Sequence, residues 1–356
     1  MRIALNISDK SSFSYEKLLQ ILIWQIVKPG QAIVLGGTWR VPVLMKLLDK
    51  NFLQDLQQDE TFNEASFARE YESCWSGNAE DAFFTSEPFD RNRILNQPEH
   101  EYSGRTSKNS YYVVSVDVGR KNCQTVACIF KVIPQPQTLA FKSLVNLYTF
   151  EEQHFEDQAI NLKKLFFKYN ARAIVIDGNG LGLGLVDYMV KSQVDPETNE
   201  VIPPFGVIND EEGIYKQYRT ASTITEAMYI IRANAPFNTE AHSNVLSQLQ
   251  TNRVKFLLDE KTAKAKLLKT KVGQGMTPEE RAAYLRPFVL TSILREEMLN
   301  LKEEHDGINI ILKRSNKKIN KDKFSAFEYG LYYIKQEELK KKKKRNFNIK
   351  DMLFLN

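Results

Sequence analysis

The sequence predicts an α/β protein: a mixed sheet flanked by helices. Three observations predict it. Two apolar strand runs, 111–118 (YYVVSVDV) and 124–132 (QTVACIFKV), enclose a Gly-Arg-Lys-Asn turn and read as a hairpin. An amphipathic stretch at 153–169 leads into a short buried strand run at 173–176 (AIVI). Strands alternating with helices in this way need helices on the faces of a sheet.

The elements follow in order. Residues 14–28 have apolar positions at helical spacing, and Pro29-Gly30 stops that helix. Residues 31–36 (QAIVLG) read as a buried strand and 40–56 as a helix. Together they make an incomplete α/β fragment, placed at 1–95. The stretch 96–110 is rich in turn formers and reads as a linker. The main domain spans 111–338. After the hairpin, 142–149 reads as a third strand, 153–169 as a helix, 173–176 as a strand ending at Asp177, 181–191 as a helix and 205–208 (FGVI) as a strand. Residues 222–304 read as mainly helical, with breaks at Pro236, Gly273, Gly275 and Pro287. Residues 308–313 (INIILK) suit a strand, and 322–338 a helix that opens at Asp322. Residues 339–356 form a basic tail that reads as disordered.

Composition narrows the class. The 356 residues are 42% hydrophobic, enough for a sizeable core, and carry a formal net charge of +5. Five lysines and an arginine at 340–345 account for that excess, so global charge says little about nucleic acid. The three cysteines, Cys74, Cys123 and Cys128, form no CxxC pair, which argues against a disulfide framework or a zinc ribbon. No signal peptide and no stretch of about 20 apolar residues occurs, so a cytosolic setting without a membrane span is expected.

Three carboxylates stand out. Asp117 ends one apolar strand, Asp177 ends another, and Asp322 opens a late helix. Strand ends of an α/β sheet are where ligands gather. Acids converging there would hold hard divalent cations through oxygen. Two such cations about 3.5–4 Å apart suit phosphodiester hydrolysis, with magnesium or manganese as the metal. Each acid taken alone has a plainer role. Asp117 fits an ordinary turn aspartate, and Asp177 and Asp322 fit helix caps. The combination is the signal. Arg120 and Lys121 beside Asp117, and Lys313, Arg314, Lys317, Lys318, Lys321 and Lys323 around Asp322, are candidates for phosphate contact. For any one of them a solvated charged face is the commoner explanation. The glycines at 178, 180, 182 and 184 do not make a GxGxxG loop. The histidines show no metal-ligand spacing.

The segments VVSVDVGRKNCQT, VIDGNGLGLGLVDYM, FGVIND and NKDKFSAFEYGLYYI together resemble the nuclease half of a tailed-phage terminase large subunit, over about 60–338. The resemblance implies a ribonuclease H/retroviral-integrase-like fold and metal-dependent cutting of packaged double-stranded DNA. It makes Asp117, Asp177 and Asp322 the catalytic metal ligands of a Mg²⁺ or Mn²⁺ site, with Asp306 and Glu328 as nearby alternatives to the third. It also implies a portal protein and a small terminase subunit as partners, and the cytoplasm of a host carrying a phage or prophage. Such terminases carry an ATPase motor ahead of the nuclease. Here no GxxxxGK[ST] occurs, and residues 1–56 resemble only the last helix-strand-helix of that motor, so no independent ATP hydrolysis is expected. Two other readings stay open at this point. One is an actin- or sugar-kinase-like nucleotide-binding domain, using the VDVGRKNCQT hairpin. The other is a non-catalytic motor or portal adaptor.

Overall fold

The computed structural model describes residues 38–49, 82–104, 109–119, 124–135, 138–151, 154–218 and 224–352, together with the single positions 21, 51 and 71. Beyond 341 it describes the backbone only. The chain divides into two compact units, Met1–Ser86 and Glu87–Asn356.

In the first unit, helix α1 (Arg40–Leu44) is five residues long. A helix over 40–56 was expected, but the backbone turns after it, with Lys46 at φ 62°. A left-handed residue ends a helix, because its carbonyl and N–H no longer align with the ladder. The amide of Trp39 donates to the carbonyl of Tyr71 at 2.7 Å. Of the expected helix at 14–28 only Ile21 is described, as helical, and the strand expected at 31–36 lies outside the described residues.

The second unit is built on one eight-stranded sheet. A short helix α2 (Ser86–Arg91) leads into β1 (Arg93–Leu95), then β2 (Tyr111–Asp117), β3 (Thr125–Ile133) and β4 (Phe141–Phe150). Helix α3 (Phe155–Lys168), β5 (Ala171–Asp177) and helix α4 (Leu181–Met189) follow. A two-stranded pair, β6 (Gln193–Val194) and β7 (Val201–Ile202), precedes β8 (Phe205–Val207) and β9 (Thr225–Ile231). Helix α5 (Ala235–Gln250), β10 (Val254–Leu257) and helices α6 (Glu260–Leu268), α7 (Lys271–Gly275) and α8 (Pro278–Leu299) come next. A hairpin of β11 (Leu301–Asp306) and β12 (Asn309–Arg314) then leads to the long helix α9 (Asp322–Met352).

The strand order is β1-β10-β4-β3-β2-β5-β9-β8. Only β3 pairs antiparallel to its neighbours, and the other seven strands run the same way. The inner five, β4-β3-β2-β5-β9, are an antiparallel three-strand meander followed by two strands parallel to β2 that are reached through helices. Both faces are covered, which is why β2 reads as a continuous apolar run rather than an alternating one. On one face Val114, Val116, Ile174, Ile176 and Met228 pack against Leu162 and Phe166 of α3 and Leu185 and Met189 of α4. The opposite face receives α9. Phe327 stacks on Phe130 of β3 at 5.6 Å, and Tyr333 meets Tyr229 of β9 at 5.0 Å. The approach is close: a Cβ on Gly330 would fall 2.4 Å from the Phe130 ring.

One expectation is qualified and two are corrected. The span 222–304 is helical over most of its length, as expected, but not throughout, since it also holds β9 (TEAMYII) and β10 (VKFL). Ala and Met favour helix locally, but pairing of β9 with β5 buries it in a parallel sheet, and that context overrides propensity. The polar run LKEEHD continues as a strand because Gly307, at φ 60°, turns the chain and lets it pair with 309–314. The basic tail is not irregular, for α9 carries helical backbone through the 340–345 run to Met352. Among the described residues no helix is long and apolar enough to cross a membrane.

One core cation makes a prediction. Lys163 of α3 is fully buried, its ammonium 2.7 Å from the carbonyl oxygen of Lys191 and 5.4 Å from the Phe205 ring centre. Burial lowers its pKa to about 7. Between that value and the ordinary lysine range the unfolded chain binds a proton that the folded chain does not, so stability rises with pH there. The penalty for the buried charge is therefore complete below pH 7. Lys163→Met is expected to raise Tm by a few degrees at pH 6.5, at about 2–4 °C per kcal/mol, with a smaller gain at pH 9.5. Thermal unfolding at the two pH values checks this.

Candidate active site

Strands β2 and β5 are parallel neighbours, with Val116 opposite Ile176, so Asp117 and Asp177 leave the sheet side by side at its C-terminal edge. Side chains alternate along a strand, which puts 113, 115 and 117, and 173, 175 and 177, on the α9 face. Helix α9 crosses that face and opens with Asp322. Three carboxylates far apart in sequence are thus brought to one edge.

Asp117 feels both of the other acids. Burial, then the neighbouring Asp322, then Asp177 push the Asp117 carboxyl up to about 8, with Lys321 opposing. Asp177 is raised by burial, opposed by the Asn179 N–H and the Tyr329 hydroxyl. Asp322 is also raised by burial, against the pull of Lys323, Arg314 and Lys321. Among the described residues no three His, Cys, Asp or Glu side chains stand close enough to form a ready-made metal cage.

Local structure holds Asp177 in place. Its Oδ1 accepts from the Asn179 amide at 3.0 Å, and its Oδ2 accepts from Tyr329 Oη at 3.3 Å. The glycines after it allow a close approach. A Cβ on Gly182 would lie 1.5 Å from the Asp177 carbonyl oxygen, so only glycine lets α4 start so near the end of β5. Gly180, at φ 54°, makes the turn between them.

The basic candidates divide. Lys317, Lys318 and Lys321 are exposed in the turn between β12 and α9. Arg314 is exposed and donates to the carbonyls of Lys317 and Ile319 at 3.3 and 3.4 Å. Lys313 is exposed and paired with Glu304 at 2.5 Å. Lys323 departs from expectation. It is 5% exposed and paired with Glu297 at 3.3 Å, because position 323 of α9 faces the sheet, so it cannot reach a phosphate. Arg120 and Lys121 lie outside the described residues. Of the alternative acids, Glu328 is buried against His242 at 2.5 Å, and Asp306 stands exposed at the tip of the β11–β12 hairpin. His305 meets Glu303 at 3.1 Å.

Two residues beside the acids had no signal in the sequence. Tyr329 is one aromatic among several in FEYGLYY. Glu297 lies inside a charged helical stretch. It is 1% exposed, and burial pushes its carboxyl up to about 7, with Lys323 opposing and Asp322 adding to the rise.

No family model matches the sequence. No curated protein matches it either. Among solved structures, the chain is similar to the large terminase nuclease from thermophilic phage G20c with bound magnesium. The identity is 13% over 71% of this chain and 98% of that one, at a TM-score of 0.40. It is also similar to the P22 large terminase nuclease domain, at 12% identity over 70% of this chain and 92% of that one, with a TM-score of 0.35. For the HK97 bacteriophage large terminase the identity is 11%, the coverage 88% of this chain and 60% of that one, and the TM-score 0.37.

Proposed function

We propose that this chain is the nuclease part of a phage large terminase: a divalent-metal-dependent endonuclease that cuts concatemeric double-stranded DNA during genome packaging. One observation carries the reading. Asp117 and Asp177, each within a motif that resembles that family, end adjacent parallel strands of a ribonuclease H-like sheet, and the charges of Asp177 and Asp322 both act on the buried Asp117 carboxyl. The single sheet does not favour the nucleotide-clamping alternative. That reading needs a duplicated half, and the described residues hold one large sheet and two small two-stranded pairs.

A divalent cation fits these residues. A carboxylate raised by burial and by two neighbouring acids, as Asp117 is, is short of positive charge, and an all-oxygen set suits magnesium or manganese. Asp117, Asp177 and Asp322 would hold the metal, and a bound pair of ions would supply an activated water and a stabilised leaving oxygen. Tyr329 and the Asn179 amide orient the Asp177 carboxylate. Lys321 adds positive charge beside all three acids. The exposed Arg314, Lys317 and Lys318 would meet phosphates next to them. In this reading the first unit, Met1–Ser86, is the end of a motor domain with no ATPase activity of its own, the nuclease begins nearer Glu87 than the expected boundary at 95 because β1 joins its sheet, and the portal and small subunit are partners in the host cytoplasm.

Cleavage of supercoiled plasmid with Mn²⁺, abolished by EDTA and indifferent to plasmid sequence, tests the reading. An absence of metal-dependent cleavage would sink it. The basic turn has its own test. Each phosphate contact removed flattens the dependence of log affinity on log salt by about 0.9. Lys317→Ala with Lys318→Ala is therefore expected to reduce that slope by roughly 2 for duplex DNA. An unchanged slope would take the two lysines out of the interface.

A further inference from the structure

Helix α9 has an unusual start. The Ser325 amide donates to the Lys321 carbonyl at 2.9 Å, which makes Lys321 the cap residue, and Asp322, Lys323 and Phe324 the first three helical positions. A lysine side chain has no acceptor, so it cannot satisfy the free N–H groups of that turn. The work is done from another helix. Glu297, near the end of α8, accepts from the Phe324 amide at 3.0 Å through Oε2, and from Lys323 Nζ at 3.3 Å through Oε1. Both side chains are buried, at 1% and 5% exposure. The turn is also pinned beneath: the Cys128 thiol of β3 lies 3.9 Å from the Lys323 carbonyl oxygen. Asp322 is therefore the first helical residue of a turn held by Glu297 above and by β3 below.

We infer that Glu297 is the positioning residue of the candidate metal site: by capping α9 from α8 it fixes where the Asp322 carboxylate stands relative to Asp117 and Asp177. The inference rests on the nuclease reading. It assigns Glu297 no contact with substrate or metal. Its effect passes through one N–H group, and that makes it separable from the buried charge pair. An ion pair broken on one side leaves a costly unpaired charge, so single substitutions would mix the two effects. Two double variants avoid this. Glu297→Gln with Lys323→Met removes both charges and keeps an oxygen for the Phe324 amide. Glu297→Leu with Lys323→Met removes both charges and the oxygen.

The experiment measures Mn²⁺ affinity by calorimetry for the whole chain and for both variants, with Asp322→Asn alongside. The leucine variant is expected to bind Mn²⁺ about 10–100-fold more weakly than the glutamine variant, the usual size of losing an outer-shell support. Exchange of the Phe324 amide, followed by hydrogen–deuterium exchange, is expected to quicken in the leucine variant alone. Equal Mn²⁺ affinities for the two variants, with Asp322→Asn weakened, would overturn the positioning role and leave the nuclease reading standing. An Mn²⁺ affinity unaffected by Asp322→Asn would overturn the metal reading, and the assignment of Glu297 with it.

Discussion

Asp117→Asn is expected to lower Mn²⁺-dependent plasmid cleavage by at least about 100-fold while making the metal-free protein more stable. The two effects share one cause. Asp117 ends a fully buried strand and faces Asp177 and Asp322, and burial with the two like charges holds its carboxyl up at about 8. A group with that value costs stability whenever it is ionised in the folded state and no cation is near. From about pH 4 to pH 8 the unfolded chain gives up the proton and the folded chain keeps it, so metal-free stability falls as pH rises through that window. Asparagine is neutral throughout and removes the slope. In EDTA at pH 8.5 a Tm above wild type is expected, and with Mn²⁺ the order reverses, because only wild type gains from the ligand. Thermal unfolding with and without metal, beside the cleavage assay, reads both effects. Cleavage at the wild-type rate would remove Asp117 from the chemistry.

Gly182→Ala is expected to lower Tm by about 5–10 °C and to cut cleavage by about 100-fold. A methyl group there would lie 1.5 Å from the Asp177 carbonyl oxygen, a covalent distance, and the obstacle is backbone that cannot rotate aside. Either α4 lifts from the sheet or the end of β5 shifts. Overpacking of this kind costs about 1–3 kcal/mol, which sets the change in Tm. The activity follows from the second route, since a displacement of about 1 Å at a reacting group costs about 100-fold. Gly180→Ala separates the causes. Its Cβ would meet nothing within 4 Å, but its φ of 54° is one that alanine adopts with strain, so a smaller Tm loss is expected. If Gly182→Ala melts with wild type, α4 does not sit as closely on Asp177 as described.

The centre of the fold was legible because its signals are local. An apolar run ending in aspartate before a turn, repeated at 117 and 177, marks two buried parallel strands and the edge where they stop. β9 and β10 were not legible, since their residues suit helices and become strands only through pairing with β5 and β4. Lysine neighbours were equally opaque. Lys321 and Lys323 differ by two positions, yet one is exposed and the other buried, because the first precedes the helix and the second faces the sheet. Glu297 depends on a partner 27 residues further on, which no local pattern announces.

Helix α9 joins two concentrations of charge on one rod. Its first residue is Asp322, and the lysine run begins at Lys340. At 1.5 Å per residue the two ends stand about 27 Å apart, some three screening lengths at physiological salt. Distance alone therefore insulates the acids from the run's positive charge. The acids lie beyond the reach of that run's field, and the charge balance at Asp117 is left to nearby groups such as Lys321.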